Sequence, residues 1–257
     1  MTFELQIDFH GDLAGFFLRP PWRGKSPVVR KLREKSAIKD VIEACGIPHP
    51  EVDLILICSS KEENCVSVDF RWQVQASARI KVYGFPAPPD ILPLCPRLQT
   101  RRFERFVADG HLGGLARNLR LLGLDTAYES MANDRRLLEI MAAENRAILT
   151  RDRRLLMHSI VEHGFCPRSS DPEQQTMEVL RRFGLLGESM APFGRCLECN
   201  GLLRSVRKED VSRQLAAEPR TLLYYEDYRV CLACGRIYWA GSHFAKLAER
   251  VSRLIAS

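Results

Sequence analysis

Residues 105–156 carry the pattern that most constrains the fold of this 257-residue chain. Apolar runs of strand length alternate there with segments that are apolar every three or four residues. That alternation is typical of βαβ units, in which parallel strands form an open sheet and helices cover its faces. The segment therefore predicts an α/β domain with a parallel sheet.

Acidic residues follow two of the predicted strands. Asp109 comes directly after a strand at 106–108, and Asp152 follows a strand at 147–150. Ligands of open parallel sheets bind beyond the carboxyl ends of the strands, so we expect these two side chains to lie at one edge, where Asp134 can join them. Clustered carboxylates attract a hard divalent cation such as Mg²⁺, which also bridges to phosphate groups. The pattern predicts a metal-dependent phosphodiesterase site.

Each of these aspartates also has a structural interpretation. Asp109 precedes a glycine, and Asp-Gly is a common turn dipeptide, although a turn does not explain an acid at a strand end. Asp152 stands at a strand-to-helix junction, where aspartate is a good N-cap. Either Asn133 or Asp134 could cap the helix predicted at 135–145. The common placement of the three acids, rather than any one of them, supports the metal site.

Basic side chains near the acids are candidates for contacting substrate phosphates. Arg117 and Arg120 lie off the centre of the apolar stripe of a helix predicted at 112–122, and Arg151 precedes the third acid. An arginine fork can bind a phosphate, but both helix arginines could instead be solvated. His111 lies near the same edge, although metal-bound water would already supply the nucleophile.

Four of the nine cysteines form two Cys-x-x-Cys pairs, Cys196 with Cys199 and Cys231 with Cys234. Four thiolates at these spacings fit a tetrahedral Cys₄ zinc site, with a hairpin or helix filling the long interval between the pairs. A redox role is less favoured, because that motif normally accompanies a thioredoxin-like unit. The predicted zinc is structural, since a closed thiolate shell leaves no position for a water nucleophile.

The remaining cysteines show no ligand spacing, and in a reducing compartment we expect them to be buried or incidental thiols. They are Cys45, Cys58, Cys65, Cys95 and Cys166. The N-terminus has acids where a signal peptide has a basic region, and no apolar run approaches the ~20 residues of a membrane span. These features predict a cytoplasmic protein with no membrane partner.

Composition divides the chain into four parts. Strand-like stretches around one helix at 36–45 predict a small α+β domain over residues 1–85. Residues 86–100 are too rich in proline for regular structure and are predicted to be a linker. The acid-bearing α/β domain is expected over 101–190, and a zinc ribbon with a terminal amphipathic helix over 191–257.

The chain resembles the mutator-seven C-terminal RNase family, a branch of the PIN-like nucleases. The resemblance rests on the runs FVADGHLGGLARNLRLLGLDT and NDRRLLEIMAAENRAILTRDRRLL, followed by the two cysteine pairs and RIYWAGSH. The N-terminal runs AIKDVIEACGIPHPEVDLILI, VDF and ARIKVYG are similar to the ubiquitin-like β-grasp module often fused in front of bacterial members. Together these runs cover nearly the whole chain apart from the linker and both termini.

The resemblance implies a PIN-like three-layer α/β nuclease domain, RNA as the substrate and dependence on Mg²⁺ or Mn²⁺. By this resemblance, Asp109 matches the family's acid of the first strand and Asp134 matches the acid before the second helix. Asp152 matches the acid of the Thr-Arg-Asp motif. The further acid that many PIN nucleases place after that motif is not evident, since arginines stand there. Asp171 is a distant substitute, although its Asp-Pro-Glu context also predicts a helix N-cap.

Two departures from the family pattern are Gly114 and Asn118, which stand where the family often has a basic residue and a tryptophan. The β-grasp module does not end in Gly-Gly, so conjugation and sulfur carriage are not indicated, and we expect an interaction surface for a protein partner. Two functions stay open. One is a metal-dependent ribonuclease; the other is a binding module with a nuclease-like fold that recruits RNA or a protein through its zinc ribbon and β-grasp domain.

Overall fold

The structure is a computed structural model of the chain. It describes residues 2–16, 27–58, 64–91, 95–100, 102–186, 190–217, 219–241 and 244–256. The chain forms two compact units. The first unit comprises Met1–Arg101 and Thr150–Cys166, and the second comprises Arg102–Leu149 and Pro167–Ser257. Among the described helices, none has both the length and the apolar character needed to cross a membrane.

A mixed five-stranded sheet forms the centre of the first unit. The elements before residue 101 are β1 (Phe3–His10), β2 (Val28–Leu32), β3 (Ser36–Ala37), α1 (Ile38–Glu43), β4 (Val52–Cys58), β5 (Cys65–Val68), β6 (Gln73–Val74) and β7 (Ala78–Gly84). The sheet order is β2-β1-β7-β4-β5, with β1 and β7 parallel and the other pairs antiparallel. Alternate residues of β1, Leu5 and Ile7, are buried with Ile38 and Ile42 of α1.

This architecture confirms the small α+β fold predicted from the sequence. The helix is shorter than the predicted 36–45 and begins at Ile38. Strand β2 was not predicted, because its charged residues Arg30 and Lys31 follow only two apolar residues. It pairs antiparallel with β1 at the edge of the sheet, where charged residues are tolerated.

The proline-rich residues 86–100 lie against the first unit and contain no helix or strand in their described part. The backbone N–H of Ala87 donates to Oδ2 of Asp53 at 2.9 Å, and that of Leu98 donates to the Asp53 carbonyl at 2.8 Å. Asp53 is fully buried on β4. The segment is therefore held to the sheet by one buried aspartate.

The expectation that Cys58 and Cys65 are thiols is wrong, because they form a disulfide. The two residues stand directly opposite each other where β4 pairs with β5, with their Cα atoms 4.1 Å apart. Sequence spacing alone does not reveal this register. The other three expectations are confirmed: Cys45 and Cys166 are buried thiols outside any disulfide, and Cys95 is a half-buried one.

The segment Thr150–Cys166 belongs to the first unit through buried polar contacts. Oε1 of Glu51, a side chain only 3 % exposed, accepts a hydrogen bond from the backbone N–H of Cys166 at 2.7 Å. The buried ring of His49 places Nε2 2.5 Å from the carbonyl oxygen of Val161. Residues distant in sequence thus fix this segment.

The loop that carries Asp152 is held by Arg153 in the same unit. Nη1 of Arg153 donates to the carbonyl oxygen of Phe16 at 2.9 Å. Its guanidinium also lies over the Phe16 ring, 4.7 Å from the centroid, which is a cation–π distance. The residue next to the predicted acid is therefore anchored to the N-terminal part of the chain.

Glu51→Ala should destabilise the protein by about 1–3 kcal/mol, because it leaves the buried N–H of Cys166 without its carboxylate acceptor. Urea unfolding measures the effect. Glu34→Ala removes an exposed carboxylate and is the matched control. Equal unfolding midpoints for both variants and the wild type would contradict the anchoring role of Glu51.

Parallel strands form the centre of the second unit. The middle elements of the chain are β8 (Arg105–Ala108), α2 (Gly113–Leu121), β9 (Asp125–Tyr128), α3 (Asp134–Glu144), β10 (Ala147–Leu149), α4 (Arg153–Leu156), β11 (Gly164–Phe165) and α5 (Pro172–Arg182). Strand β8 lies between β10 and β9 and is parallel to both. The predicted parallel-sheet α/β fold is confirmed. The carboxyl ends of β8, β9 and β10 lie at the same edge of the sheet.

Helix α2 packs its predicted apolar stripe into the core of the second unit. Leu115, Leu119 and Leu122 are all fully buried. At Gly114 an added Cβ would come within 2.7 Å of Pro172 Cγ on α5, so the close contact of the two helices requires glycine. The contact between α2 and α5 also explains why position 118 departs from the family pattern.

Buried Asn118 joins three helices of the second unit. Its Nδ2 donates to the carbonyl oxygen of Pro172 and to Oγ1 of Thr176 on α5, each at 3.2 Å. Its Oδ1 accepts from Nη1 of Arg250 at 3.5 Å. An amide with two donors and an acceptor satisfies these groups, which the tryptophan common in the family would not.

The C-terminal part of the second unit is a three-stranded antiparallel ribbon with two short helices and a longer terminal helix. Its elements are β12 (Leu203–Val206), α6 (Lys208–Val211), α7 (Pro219–Tyr224), β13 (Tyr228–Cys231), β14 (Ile237–Trp239) and α8 (Phe244–Ala256). The strand order is β12-β13-β14. Val211, Leu215 and Tyr228 form its buried core.

Candidate zinc centre and acidic site

The four predicted zinc ligands converge. Their sulfur atoms all lie within 4.8 Å of one another. The Sγ atoms of Cys196 and Cys234 are 3.7 Å apart, and those of Cys199 and Cys231 are 3.4 Å apart. A tetrahedron with Zn–S bonds of 2.3 Å has edges of about 3.8 Å. The residues therefore fit a Cys₄ zinc site, as predicted for the ribbon.

Both cysteine pairs form tight knuckles. In the first, the N–H of Cys196 donates to the Gly201 carbonyl at 2.8 Å, and Asn200 adopts a left-handed φ of 69°. An added Cβ at Gly201 would come within 2.8 Å of Cys231 Sγ. The second knuckle turns at Gly235, whose φ is 72°. Small or left-handed residues after each pair let the backbone fold around the sulfur atoms.

The thiols of the site differ in their tendency to ionise. Burial raises the pKa of Cys196, but hydrogen bonds from the Tyr238 hydroxyl and from backbone N–H groups outweigh it and lower the pKa to about 6. Burial raises the pKa of Cys199 to about 12, and the neighbouring thiols contribute. The site thus favours one thiolate, whereas further thiolates would repel one another. A bound divalent cation offsets this repulsion with its positive charge.

Cys196→Ser should abolish stoichiometric zinc binding and lower the melting temperature, because the metal contributes folding free energy to its ribbon. Zinc content by mass spectrometry and thermal unfolding measure the two effects. Cys95→Ser, which changes a half-buried free thiol outside the cluster, is the control. Full zinc content in Cys196→Ser would contradict the assignment.

Arg120 joins helix α2 to the first knuckle and is not a solvated or substrate-facing residue. It is 3 % exposed, and its Nη1 donates to the carbonyl oxygens of Leu197 at 3.0 Å and Glu198 at 2.8 Å. Its Nε donates to the carbonyl oxygen of Thr126 at 2.9 Å. The sequence-based interpretation of Arg120 as a phosphate ligand is therefore corrected. Arg120 is buried because the first knuckle docks against this face of α2.

Asp125 is a second link between the sheet and the first knuckle, which the sequence analysis missed. Its Oδ1 accepts from Nη1 of Arg146 at 2.6 Å and from Nδ2 of Asn200 at 2.7 Å. Its Oδ2 lies 3.4 Å from Nη2 of Arg195. Burial raises the pKa of Asp125, but the bonds from Arg146 and Asn200 outweigh it and hold the pKa below its usual value. The ionised carboxylate is thus the favoured form.

Asp125→Asn should destabilise the second unit by about 1–3 kcal/mol at neutral pH, since it removes charge-assisted bonds. The lowered pKa sets the pH dependence. The carboxylate's contribution is fully present above the unfolded-state value of about 3.9 and is lost as pH falls through the lower folded-state value. Urea unfolding of both proteins from pH 3 to 7 should therefore give curves that converge on acidification. A constant difference across this range would contradict the charge argument.

Asp109 lies half-buried at the carboxyl end of β8. Its N–H donates to the carbonyl oxygen of Leu149, the last residue of β10, at 3.0 Å, and its own carbonyl accepts from Leu112 at 2.8 Å. Its carboxylate does not cap the following turn. At Gly110 an added Cβ would come within 2.6 Å of the Ser130 carbonyl oxygen. The close contact with Ser130 explains why position 110 is a glycine. The turn interpretation does not explain why an aspartate precedes it.

Asp134 is the first residue of α3 and is exposed, but it is not the cap. The preceding Asn133 fills that role, because its Oδ1 accepts from the N–H of Arg136 at 2.9 Å. The choice between the two residues that the sequence left open is therefore decided. The carboxylate of Asp134 is not needed to begin the helix.

Asp152 is exposed and caps α4. Its Oδ1 accepts from the N–H groups of Arg154 at 2.7 Å and Leu155 at 3.4 Å. Asp171 caps α5 in the same way, as its Asp-Pro-Glu context predicted, with Oδ1 accepting from Gln174 at 2.9 Å. Both cap interpretations are correct. For Asp152 the cap bonds go to one carboxylate oxygen, so a role as metal ligand through Oδ2 is compatible with them.

The remaining candidates are exposed. Arg117 lies on α2 with its Nη1 3.3 Å from Oε1 of Glu198, and Arg151 and His111 lie near the strand ends. Within the described residues, the four cysteines are the only His, Cys, Asp or Glu group of three or more with ligand atoms this close together. The aspartate site stays a prediction, with Asp109 and Asp134 in the second unit and Asp152 in the first.

Comparisons with known proteins agree with this architecture. The model of the Mut7-C RNAse domain matches residues 104–251, more than half of the chain. The chain belongs to the Mut7-C RNAse family. The model of the Mut7-C ubiquitin domain matches residues 2–89, so the resemblance found in the sequence is confirmed for both parts.

A human relative extends the comparison. The chain is 34 % identical over 128 residues to the human protein named exonuclease mut-7 homolog. The match covers 45 % of this chain and 14 % of that protein, so the chain spans only a small part of the relative's length. No solved structure matches the chain.

Proposed function

We propose that this member of the Mut7-C RNAse family is a metal-dependent ribonuclease that hydrolyses RNA phosphodiester bonds. In this proposal Asp109, Asp134 and Asp152 hold Mg²⁺ or Mn²⁺. The observation that carries it is the position of Asp109, whose N–H bonds to the last residue of β10. The acid therefore stands where two parallel strands end, which is where open α/β sheets bind ligands.

The donor set has the chemistry that these cations prefer. The three side chains offer carboxylate oxygens, the ligand type of Mg²⁺ and Mn²⁺. Asp152 follows the end of β10 by three residues, and its cap bonds occupy Oδ1 only. Asp134 begins α3 without serving as its cap. These features leave carboxylate oxygens for a metal while keeping the helices capped.

A bound Mg²⁺ or Mn²⁺ would activate water and neutralise charge during in-line attack on a phosphodiester. The half-buried Asp109 would be the best-oriented ligand, because its backbone is fixed at both ends. Arg117 and Arg151, both exposed, would position the phosphate backbone of the substrate, a contact that carries little sequence information. The exposed ion pair between Arg117 and Glu198 can be exchanged for a phosphate, because solvent screens such pairs.

The ubiquitin-like domain supports a second part of the proposal, which is an interaction with a protein partner. Exposed large apolar side chains on its sheet include Val29 and Val66. A cytoplasmic location, predicted from the sequence, also belongs to the proposal. The alternative function is a catalytically inactive module that recruits RNA or protein. The following experiment distinguishes this module from a ribonuclease.

Asp109→Asn and Asp152→Asn should each lower the rate of cleavage of end-labelled single-stranded RNA at least about a hundredfold, as expected for loss of a ligand in metal-ion catalysis. Cleavage by the wild type should require Mn²⁺ or Mg²⁺. The asparagine at position 152 keeps a cap oxygen, so folding should be retained. Gel analysis of the products measures the rate and distinguishes endonucleolytic from exonucleolytic cleavage.

Asp210→Asn is the matched control, because it changes an exposed aspartate in the first turn of α6 in the second unit that is not a candidate site residue. It should leave the rate within about twofold of the wild type. Cleavage by all three variants at the wild-type rate would remove the site assignment. Binding of RNA without cleavage by the wild type would favour the recruiting module.

A further inference from the structure

A cleft of about 550 Å³ opens in the second unit between the ribbon and the start of α8. Five aromatic residues contribute to its lining: Phe193, Tyr228, Tyr238, Trp239 and Phe244. Neither the zinc site nor the proposed metal ligands use these rings, apart from the Tyr238 hydroxyl that bonds to Cys196. An aromatic cleft of this size can accept flat ring systems.

Phe193 has an unusual backbone conformation in this cleft. Its φ of 60° lies in the left-handed region, which is costly for a bulky residue and tends to occur at functional sites. Two hydrogen bonds hold it there: its N–H donates to the Leu121 carbonyl at 2.9 Å, and its carbonyl accepts from Nη1 of Arg229 at 2.7 Å. These two hydrogen bonds offset the conformational free energy of the left-handed backbone and keep the Phe193 ring at the cleft.

The Phe193 ring contacts the ring of Phe244, with centroids 4.8 Å apart and planes 33° from parallel. Phe244 is nevertheless 38 % exposed, and Trp239 is half-buried. At Gly241 an added Cβ would come within 2.7 Å of Trp239 Nε1, so the glycine allows the chain to pass the indole closely. The aromatic surface therefore retains open area towards solvent.

Positive charge surrounds the rings. Arg117 and Arg229 line the cleft and are exposed, and the acid in the lining is Asp227. Exposed Glu198 pairs with Arg117 at 3.3 Å. A third arginine in the lining, Arg195, donates to the carbonyl oxygens of Gly123 at 3.1 Å and Asn200 at 3.0 Å. Rings flanked by exposed guanidinium groups complement unpaired bases joined by phosphates.

We infer that this cleft binds unpaired bases of single-stranded RNA, which stack on the rings of Phe244 and Trp239 while Arg117 and Arg229 contact the flanking phosphates. This inference rests on the proposed function for its substrate class. Stacking tolerates every base, since each base has a π-face. The cleft is therefore a site that holds substrate without reading sequence, and it lies in the same unit as Asp109.

Binding is measured by fluorescence anisotropy with a 5′-labelled single-stranded RNA of 12 nucleotides. The full chain carries Asp109→Asn, so that cleavage does not interfere. Adding Phe244→Ala should weaken binding by about fivefold to a hundredfold, the range for loss of base stacking. Arg229→Gln should weaken binding and reduce its dependence on salt concentration, because a phosphate contact is lost.

Matched controls change exposed residues outside the cleft. Tyr224→Ala removes an aromatic ring that is 76 % exposed on α7, and Arg213→Gln removes an exposed arginine. Both should bind RNA as the parent does. An abasic oligomer of the same length tests stacking without any change in the protein, and it should bind the parent and Phe244→Ala with equal, weakened affinity.

Parent affinity in both Phe244→Ala and Arg229→Gln would overturn the inference, as would equal affinity of the parent for abasic and normal RNA. Absence of any RNA binding would also overturn it. If Phe244→Ala lowers the melting temperature, the comparison of abasic and normal RNA on the parent protein decides whether stacking contributes to binding, because it changes no residue of the cleft. Stacking-dependent binding by a wild type that does not cleave RNA would support the cleft and remove the nuclease proposal alone.

Discussion

The second unit depends on a buried polar junction between its sheet and its zinc ribbon. Asp125, at the start of β9, accepts bonds from Arg146 and from Asn200 of the first knuckle. Arg120 reaches the same knuckle from α2 and donates to two of its carbonyl oxygens. Buried charged groups are costly unless their bonds are made in full, so the knuckle has little freedom to dock differently. The zinc cluster and the aromatic cleft are both built on this junction.

The first unit contributes more than an appended binding module. It contains the segment Thr150–Cys166, which carries Asp152, and it holds that segment with Glu51 and Arg153. Because these contacts join residues more than one hundred positions apart, they depend on the folded N-terminal sheet. The folded N-terminal sheet therefore fixes the segment that carries Asp152.

Local signals in the sequence predicted many elements correctly. Asp171 followed by proline predicted the start of α5. The Cys-x-x-Cys spacing predicted the zinc ligands because each knuckle is made from neighbouring residues. These local signals do not predict which residues of distant segments come into contact. The Cys58–Cys65 disulfide depends on how β4 pairs with β5, and the burial of Arg120 depends on where the ribbon docks.

The sequence by itself determined the parallel α/β pattern, the two zinc knuckles, the family and the placement of Asp109 after a strand, because each of these follows from periodicity or short spacing. Only the tertiary structure decided that Asn133 rather than Asp134 caps α3 and that Arg120 is structural. It also decided that Phe193 lies beside Phe244 at an open cleft. These outcomes depend on contacts between distant residues, whose geometry no local pattern specifies.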